Sequence, residues 1–214
     1  MTATEPGGAT KAPARSRKRS TPRVIAVVLN WNLADATLEC LESLRAVDYP
    51  DFEVLVVDNG SDDGSQAAIE AARPDLTVLQ TGSNLGYAGG NNAGIQEAIG
   101  RGADFVWILN NDTKVEPDAL TALIRAATAS GEVGIVGSAV LNSLPEAEAA
   151  RIAGAAFRWN GERLEDVTCP ASEDTCPADG HVVDGVAGTS VLLRTAMVKD
   201  LGGFEERFFH YWDD

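Results

Sequence analysis

The sequence contains no run of about 18 apolar residues, the length a helix needs to cross a bilayer. None of its 214 residues is therefore expected to span a membrane. Its first residues hold no apolar stretch of leader type, which predicts no secretory signal peptide. Cysteine is scarce: Cys40, Cys169 and Cys176 are the only three, and no C-x-x-C occurs. An odd count without that spacing argues against a disulfide framework and predicts a cytosolic protein with reduced thiols. A Cys169–Cys176 disulfide or a metal site remains the alternative. Aromatic residues are few, at 6%, yet 44% of the chain is hydrophobic, enough for one sizeable core. Collagen-like, coiled-coil and fully disordered classes are excluded by composition.

Positive charge is also short, and it is concentrated. The net charge is −15. Residues 1–23 carry six bases (Lys11, Arg15, Arg17, Lys18, Arg19, Arg23) against Glu5 alone, a local charge of +5, and the remaining 191 residues carry −20. So acidic a globular part makes a poor general nucleic-acid binder, and no nucleic-acid partner is expected. A phosphate ligand is still allowed, because a metal ion or backbone N–H groups hold phosphates without a basic surface. Residues 1–22 are rich in Ala, Pro, Ser, Gly, Lys and Arg, with no apolar period, and read as a disordered basic tail. The Arg15–Arg19 cluster is expected to be solvated, with contact to anionic lipid or nucleic acid as the alternative.

From Arg23 onward the apolar pattern alternates between strand-length runs and helical spacing. Val24–Leu29 is a continuous β-branched run of the kind buried on both faces of a sheet. Ala34, Leu38, Leu41 and Leu44 have helical spacing over 34–46. Phe52–Val57 is a second buried strand. Ser61 is expected to cap a helix over 63–73, stopped by Pro74. A short strand at 76–80 precedes a helix at 88–100. Phe105–Leu109 is a fourth strand, Pro117 sits in the first turn of a helix running to about 129, and 133–141 reads as a fifth strand. Residues 142–180 are expected to be loops with a hairpin near 157–164. Strands at 182–186 and 190–194 and a helix at 195–201 close the pattern. Strand and helix repeating with short links predicts an α/β fold with a mostly parallel central sheet over 23–214. Ligands of such sheets bind beyond the carboxyl ends of the strands, which points to Asn30, Asp58 and Asn110-Asn111-Asp112.

Four segments carry polar residues suited to chemistry. In VVDNGSDDGS (56–65), Asp58 ends a buried strand, where a carboxylate accepts hydrogen bonds from a base or ribose; a plain turn is the alternative. In NLGYAGGNNAG (84–94), Asn84, Gly86, Gly90 and Asn91 surround a helix start whose backbone N–H groups suit a diphosphate; a simple glycine-rich turn is the alternative. That segment matches neither G-x-G-x-x-G after a first strand nor G-x-x-x-x-G-K-[ST], which disfavours dinucleotide dehydrogenases and P-loop enzymes. In LNNDT (109–113), Asp112 reaches the same crevice, and one carboxylate plus phosphate oxygens and water is a usual set for Mg²⁺; an Asn-Asp turn is the alternative. In GGFEERFFHYWDD (202–214), Asp213 and Asp214 follow an aromatic patch, where a carboxylate serves as a general base beside a sugar; ordinary core is the alternative for the aromatics.

Taken in order, VVLNWN (27–32), VVDNGSDDGS (56–65), NLGYAGGNNAGI (84–95), LNNDT (109–113), GTSVLLR (188–194) and GGFEERFFHYWDD (202–214) resemble the family 2 glycosyltransferases of GT-A fold, most of all the bacterial rhamnosyltransferase-like branch. The resemblance covers about 23–214. It implies inverting transfer of a sugar, rhamnose in that branch, from a nucleoside diphosphate sugar to a glycan or polyprenyl-linked acceptor. It implies that Asp58 contacts the nucleotide base and Asn30 lines the pocket beside it. Asp112 would be the last residue of a D-x-D-like motif and bind Mg²⁺ or Mn²⁺, with Asn110 in place of the first carboxylate and Asn111 between. Asp214 would be the catalytic base, with Asp213 standing where the family has Glu. It further implies a cytoplasmic location, with peripheral contact at the inner face of the membrane, and more chain beyond Asp214 than is present. A nucleotide-sugar-binding module without turnover is the rival reading. A nucleotidyltransferase is disfavoured, because Asn30-Trp31-Asn32 replaces a Gly-rich basic loop after the first strand.

Overall fold

The computed structural model describes residues 21–141, 150–158, 163–170 and 182–207. The first strand, β1 (Val24–Asn30), is solvent-free from Val24 to Val28. Its side chains alternate between two apolar clusters because successive residues of a strand point to opposite faces. Val24, Ala26 and Val28 join one cluster; Ile25 and Val27 join the other. Burying each such side chain stabilises the fold by ~1.5–3 kcal/mol. A strand apolar on both faces must be central, and β1 is flanked in parallel by β2 (Phe52–Asp58) and β4 (Phe105–Asn110).

The main sheet has six strands in the order β3-β2-β1-β4-β9-β5, with β3 at Thr77–Gln80, β9 at Ser190–Arg194 and β5 at Ile135–Gly137. Strand β9 runs antiparallel to both its neighbours, so the sheet is mixed but mostly parallel. Helices α1 (Ala34–Leu44), α2 (Ser65–Ala72) and α4 (Ala119–Thr128) cover one face through Leu41, Leu44, Ile69, Leu120 and Leu123. Helices α3 (Gly86–Gly100) and α5 (Thr195–Leu201) cover the other through Ile95, Ala98 and Val198. The expected α/β fold is therefore present as three layers.

Helix α3 lies unusually close to the sheet because it has glycine where it touches it. A Cβ at Gly94 would collide with Val27 Cγ1 and lie 2.9 Å from Val57 Cγ2. One at Gly90 would lie 2.6 Å from Leu29 Cδ1. The helix starts at Gly86, two residues earlier than its apolar spacing predicts.

Several expectations are corrected. The stretch 133–141 is not one strand: β5 ends at Gly137, and β6 (Val140–Leu141) pairs instead with β7 (Ala150–Arg158). The chain breaks at Ser138, whose N–H bonds to Ser190 O at 3.0 Å before the backbone leaves the main sheet. Within the range 142–180 expected to be loops, the described residues form strands of a second sheet, β6-β7-β8 with β8 at Arg163–Pro170, longer than the hairpin placed near 157–164. No strand forms at 182–186. Val182 is exposed, and Val186 packs over Gly137, whose added Cβ would lie 2.6 Å from Val186 Cβ. Pro117 lies in the turn before α4, which starts two residues later. Ser61 does not cap α2. That helix begins at Ser65, whose N–H bonds to Asp63 Oδ1 at 2.9 Å, while Ser61 is used elsewhere. Among the described residues, no helix is long and apolar enough to cross a membrane.

Candidate active site

The parallel register aligns the last residues of three strands. Asn30 faces Asp58, and Asp58 faces Gln80. Polar residues at the ends of otherwise apolar strands thus form one row along the carboxyl edge of the sheet. Asn30 Nδ2 donates to Asp58 Oδ2 at 2.7 Å, and Gln80 Nε2 donates to Asp58 Oδ1 at 2.8 Å. The row continues the other way: Thr37 Oγ1 donates to Asn30 Oδ1 at 2.7 Å, and Asn111 Nδ2 donates to Thr37 Oγ1 at 3.0 Å. The ends of all four parallel strands are therefore tied into one hydrogen-bonded chain.

Asp58 is fully buried and receives three kinds of donor. Burial pushes its carboxyl up. Hydrogen bonds from the Ser61 side chain and backbone, from Gln80 and from Asn30 outweigh burial and hold it below the usual aspartate value. Hydrogen bonds to the charged form favour that form. Asp58 is thus an ionised acceptor beneath the surface of the crevice.

The loop after β1 is locked to the loop after β2. Asn32 adopts φ 55°, a left-handed conformation that asparagine tolerates better than most residues. Its Nδ2 donates to Asp62 Oδ1 and its Oδ1 accepts from Asp62 N, each at 3.0 Å. Its own N–H bonds to Ser61 Oγ at 2.9 Å. The lock leaves Trp31 51% exposed beside the polar row, a flat apolar face where a ring would stack.

Asn59, almost fully buried, holds the start of α3. Its Oδ1 accepts from Leu85 N at 3.1 Å, and its Nδ2 donates to Gly86 O at 3.0 Å and to Asn84 Oδ1 at 3.1 Å. Asn84 Oδ1 also accepts Gly86 N at 2.8 Å. The helix N-terminus is thereby pinned to the end of β2, on the same edge as Asp58. Gly90 faces Leu29 and Asn59, so it serves close helix–sheet packing. Asn91 is fully buried, and neither atom of its amide finds a partner among the described residues.

Asp112 is exposed just past β4. It lines a cleft of about 230 Å³ with Ala36, Glu39, Cys40, Thr113 and Lys114. Lys114 Nζ lies 3.4 Å from Glu39 Oε2. Burial, then the neighbouring Asp112 charge, pushes the Cys40 thiol up to about 12, so it stays protonated and is no nucleophile. Asn110 continues the sheet, its N–H bonding to Thr189 O at 3.0 Å. Among the described residues, no three His, Cys, Asp or Glu side chains gather. The donor set is one open carboxylate with room beside it. That suits a hard divalent ion whose other ligands are phosphate oxygens and water, and it does not suit a closed zinc site.

The remaining predicted site residues, Asp213 and Asp214, lie outside the described residues. The segment before them is docked on α3. Asn92 Oδ1 accepts Phe204 N at 2.8 Å, and its Nδ2 donates to Phe204 O and Glu206 Oε1, both at 2.9 Å. The structure brings together Asn30, Asp58 and Asn111, with Asn84 and Gly86 joined to them through Asn59. The sequence pattern missed Gln80, Asn59, Thr37 and Ser61. Only Asn59, adjacent to Asp58, carried a signal that pattern reading could have used.

A mixed sheet of this order, with its polar row at the carboxyl edge, is the GT-A fold of glycosyltransferases. The mannosyltransferase PcManGT from Pyrobaculum calidifontis, solved with GDP-Man and Mn²⁺, matches 87% of this chain and 48% of its own with a TM-score of 0.62 and 22% identity. S. aureus TarS in complex with UDP matches 89% of this chain and 52% of its own, with a TM-score of 0.60 and 21% identity. The chain belongs to glycosyl transferase family 2, whose family model matches residues 24–181. Among curated relatives, the N-acetylglucosaminyl-diphospho-decaprenol L-rhamnosyltransferase of Mycobacterium tuberculosis is 29% identical over 191 residues, 81% of this chain. Galactofuranosyltransferase GlfT1 of the same organism is 26% identical over 85% of this chain. The chain spans about 62% and 60% of the lengths of these two relatives.

Proposed function

We propose that this chain carries the donor half of an inverting glycosyltransferase, which moves a hexose, rhamnose in the reading we favour, from a nucleoside diphosphate sugar to a polyprenyl-linked or glycan acceptor. The observation that carries the reading is the continuous polar row Gln80–Asp58–Asn30–Thr37–Asn111, which ends beside the open carboxylate of Asp112. The row suits the nucleoside, with Trp31 as a stacking face. The pinned N-terminus of α3 suits the diphosphate. Asp112 suits a Mg²⁺ or Mn²⁺ ion, which when bound supplies positive charge to the departing diphosphate.

In this reading the acceptor hydroxyl oxygen forms a bond to the anomeric carbon as the bond from that carbon to the phosphate oxygen breaks. The hydroxyl proton passes to a carboxylate, assigned by resemblance to Asp214 with Asp213 beside it. The nucleoside diphosphate leaves with the bonding electron pair. No covalent enzyme intermediate is required, in keeping with the protonated thiol of Cys40 near the site. A lipid diphosphate acceptor would bring the enzyme to a membrane surface, the cytoplasmic face in this reading, and the Arg15–Arg19 cluster would suit contact with anionic headgroups.

Thermal shift with a panel of nucleoside diphosphates and their sugars, with and without Mn²⁺, tests the reading. One nucleoside is expected to raise the melting temperature, and more so with Mn²⁺. Ligand at a hundred times its Kd adds about 2.7 kcal/mol of stability. A panel with no shift at millimolar ligand and Mn²⁺ overturns the donor assignment.

A further inference from the structure

The carboxylate suited to the nucleoside is occupied by the protein itself. Asp58 is solvent-free, and of the residues that donate to it among those described, Gln80 alone is exposed. Asn30 is fully buried and holds the inner oxygen, Oδ2. Ser61 N reaches Oδ1 from the loop at 3.0 Å. The Gln80 amide lies over Oδ1 from the solvent side at 2.8 Å. Any ligand that reaches Oδ1 from the crevice must take the place of that amide.

The Gln80 amide is well matched to this role. Its N–H donates to an ionised carboxylate, the same interaction that an imide or amide N–H on a nucleobase edge would make. Its other amide hydrogen has a separate acceptor, Gln66 Oε1 on α2, at 2.7 Å. Its carbonyl accepts from Gly82 N at 2.9 Å and from Gly60 N at 3.2 Å. Gln80 and Gly82 are exposed and Gly60 is half-buried, so water can replace the bonds that the amide gives up when it swings away from Asp58. When the amide leaves, Asp58 keeps Asn30 on Oδ2 and Ser61 N on Oδ1, and the vacated side of Oδ1 opens to a donor from the crevice.

We propose that Gln80 is an internal competitor for the base subsite, its side-chain amide standing where the N–H edge of the donor's nucleobase binds Asp58. The inference rests on the donor-site reading above. It makes Gln80 a determinant of nucleoside affinity: a base that presents an N–H to Oδ1 displaces the amide, while a ligand without a base leaves it in place. Apparent affinity for the nucleoside is the intrinsic affinity multiplied by the fraction of molecules whose amide has already moved.

The test measures binding of UDP, dTDP, GDP and inorganic pyrophosphate by calorimetry in EDTA, using the 214-residue chain and its Gln80→Ala and Gln80→Leu variants. If the amide leaves Asp58 in one molecule in ten, Gln80→Ala binds the preferred nucleoside diphosphate about tenfold more tightly. Its affinity for pyrophosphate is unchanged, because pyrophosphate has no base. Its melting temperature falls, because a buried carboxylate has lost a donor. Tighter base-dependent binding together with lower stability is a pair of signs that a merely structural glutamine does not give. Gln80→Leu, which removes the donor but keeps the bulk, gives the same pair if the amide rather than the volume competes. Nucleotide binding that weakens or stays the same in both variants overturns the proposal alone. Absence of binding to any of the nucleoside diphosphates in all three proteins, with Mn²⁺ as well as in EDTA, overturns the donor site, and this proposal with it.

Discussion

Asn30 and Asp58 face each other across adjacent parallel strands, and the amide of one lies 2.7 Å from the carboxylate of the other with both side chains fully buried. Neither is placed there to hold the sheet together, since the apolar residues behind them do that. Removing one partner leaves the other unsatisfied in a dry site, at a cost of about 1–3 kcal/mol. Asn30→Leu is expected to lower stability by that amount in chemical denaturation. Asp58→Asn is expected to lower it as well, because Asn30, Ser61 and Gln80 all donate to a carboxylate.

The same pair sets an acid dependence. The Asp58 carboxyl is held below its ordinary value of 3.8 in the folded protein. Its contribution to stability is therefore full above that value and is lost as pH falls through the lower folded value. Stability measured from pH 6 to pH 2 should fall less steeply below about pH 4 in Asp58→Asn than in the wild type, because one titrating group is gone. Equal slopes would show that Asp58 is not depressed.

Gly94 is a packing position. A methyl group there meets Val27 and Val57 on the floor of the sheet. Gly94→Ala is expected to cost about 1–3 kcal/mol by overpacking, despite the better helix propensity of alanine. Gly100→Ala, where an added Cβ meets nothing within 4 Å, is the control and should not destabilise. The melting temperatures of the two variants check the contrast.

Asn92 ties the segment after α5 to α3 through Phe204 and Glu206. A Cβ at Gly203 would collide with Asn92 Oδ1, so the segment approaches as closely as glycine allows. Tyr87 adds an edge contact to Phe204 with ring centroids 5.8 Å apart. Asn92→Ala is expected to raise hydrogen exchange at the Phe204 amide by about tenfold or more, the loss of roughly 1.4 kcal/mol of local protection. Nucleoside diphosphate affinity should stay within twofold. Unchanged exchange at Phe204 would show that the segment is held by other contacts.

Much of this architecture is legible in the sequence, for a physical reason. Strands buried on both faces must be apolar throughout, so Val24–Leu29, Phe52–Val57 and Phe105–Leu109 stand out. The first polar residue after each marks the carboxyl edge, which is why Asn30, Asp58 and the Asn110–Asp112 loop were legible. Thr37 was not, because a lone threonine in a helix carries no sign that it will bridge Asn30 and Asn111. Gln80 was not, because it ends an edge strand whose side chains are only half covered. Ser61 looked like a helix cap because caps and loop clamps use the same hydroxyl chemistry. The stretch 133–141 looked continuous because small residues at Gly137, Ser138 and Ala139 hide the point where the chain changes sheets.

The carboxyl edge is proposed as a metal-assisted site for a nucleoside diphosphate, with Asp112 as the protein's ligand to the ion. Its most direct test is calorimetry of nucleoside diphosphate binding, with Mn²⁺ and with EDTA, to the wild type and to Asp112→Asn. Asp112 is exposed, so the substitution should leave the fold intact. Mn²⁺ is expected to tighten binding to the wild type by about tenfold or more, a gain of ~1.4 kcal/mol, and to leave the variant at its EDTA affinity. An equal gain from Mn²⁺ in Asp112→Asn would contradict that assignment.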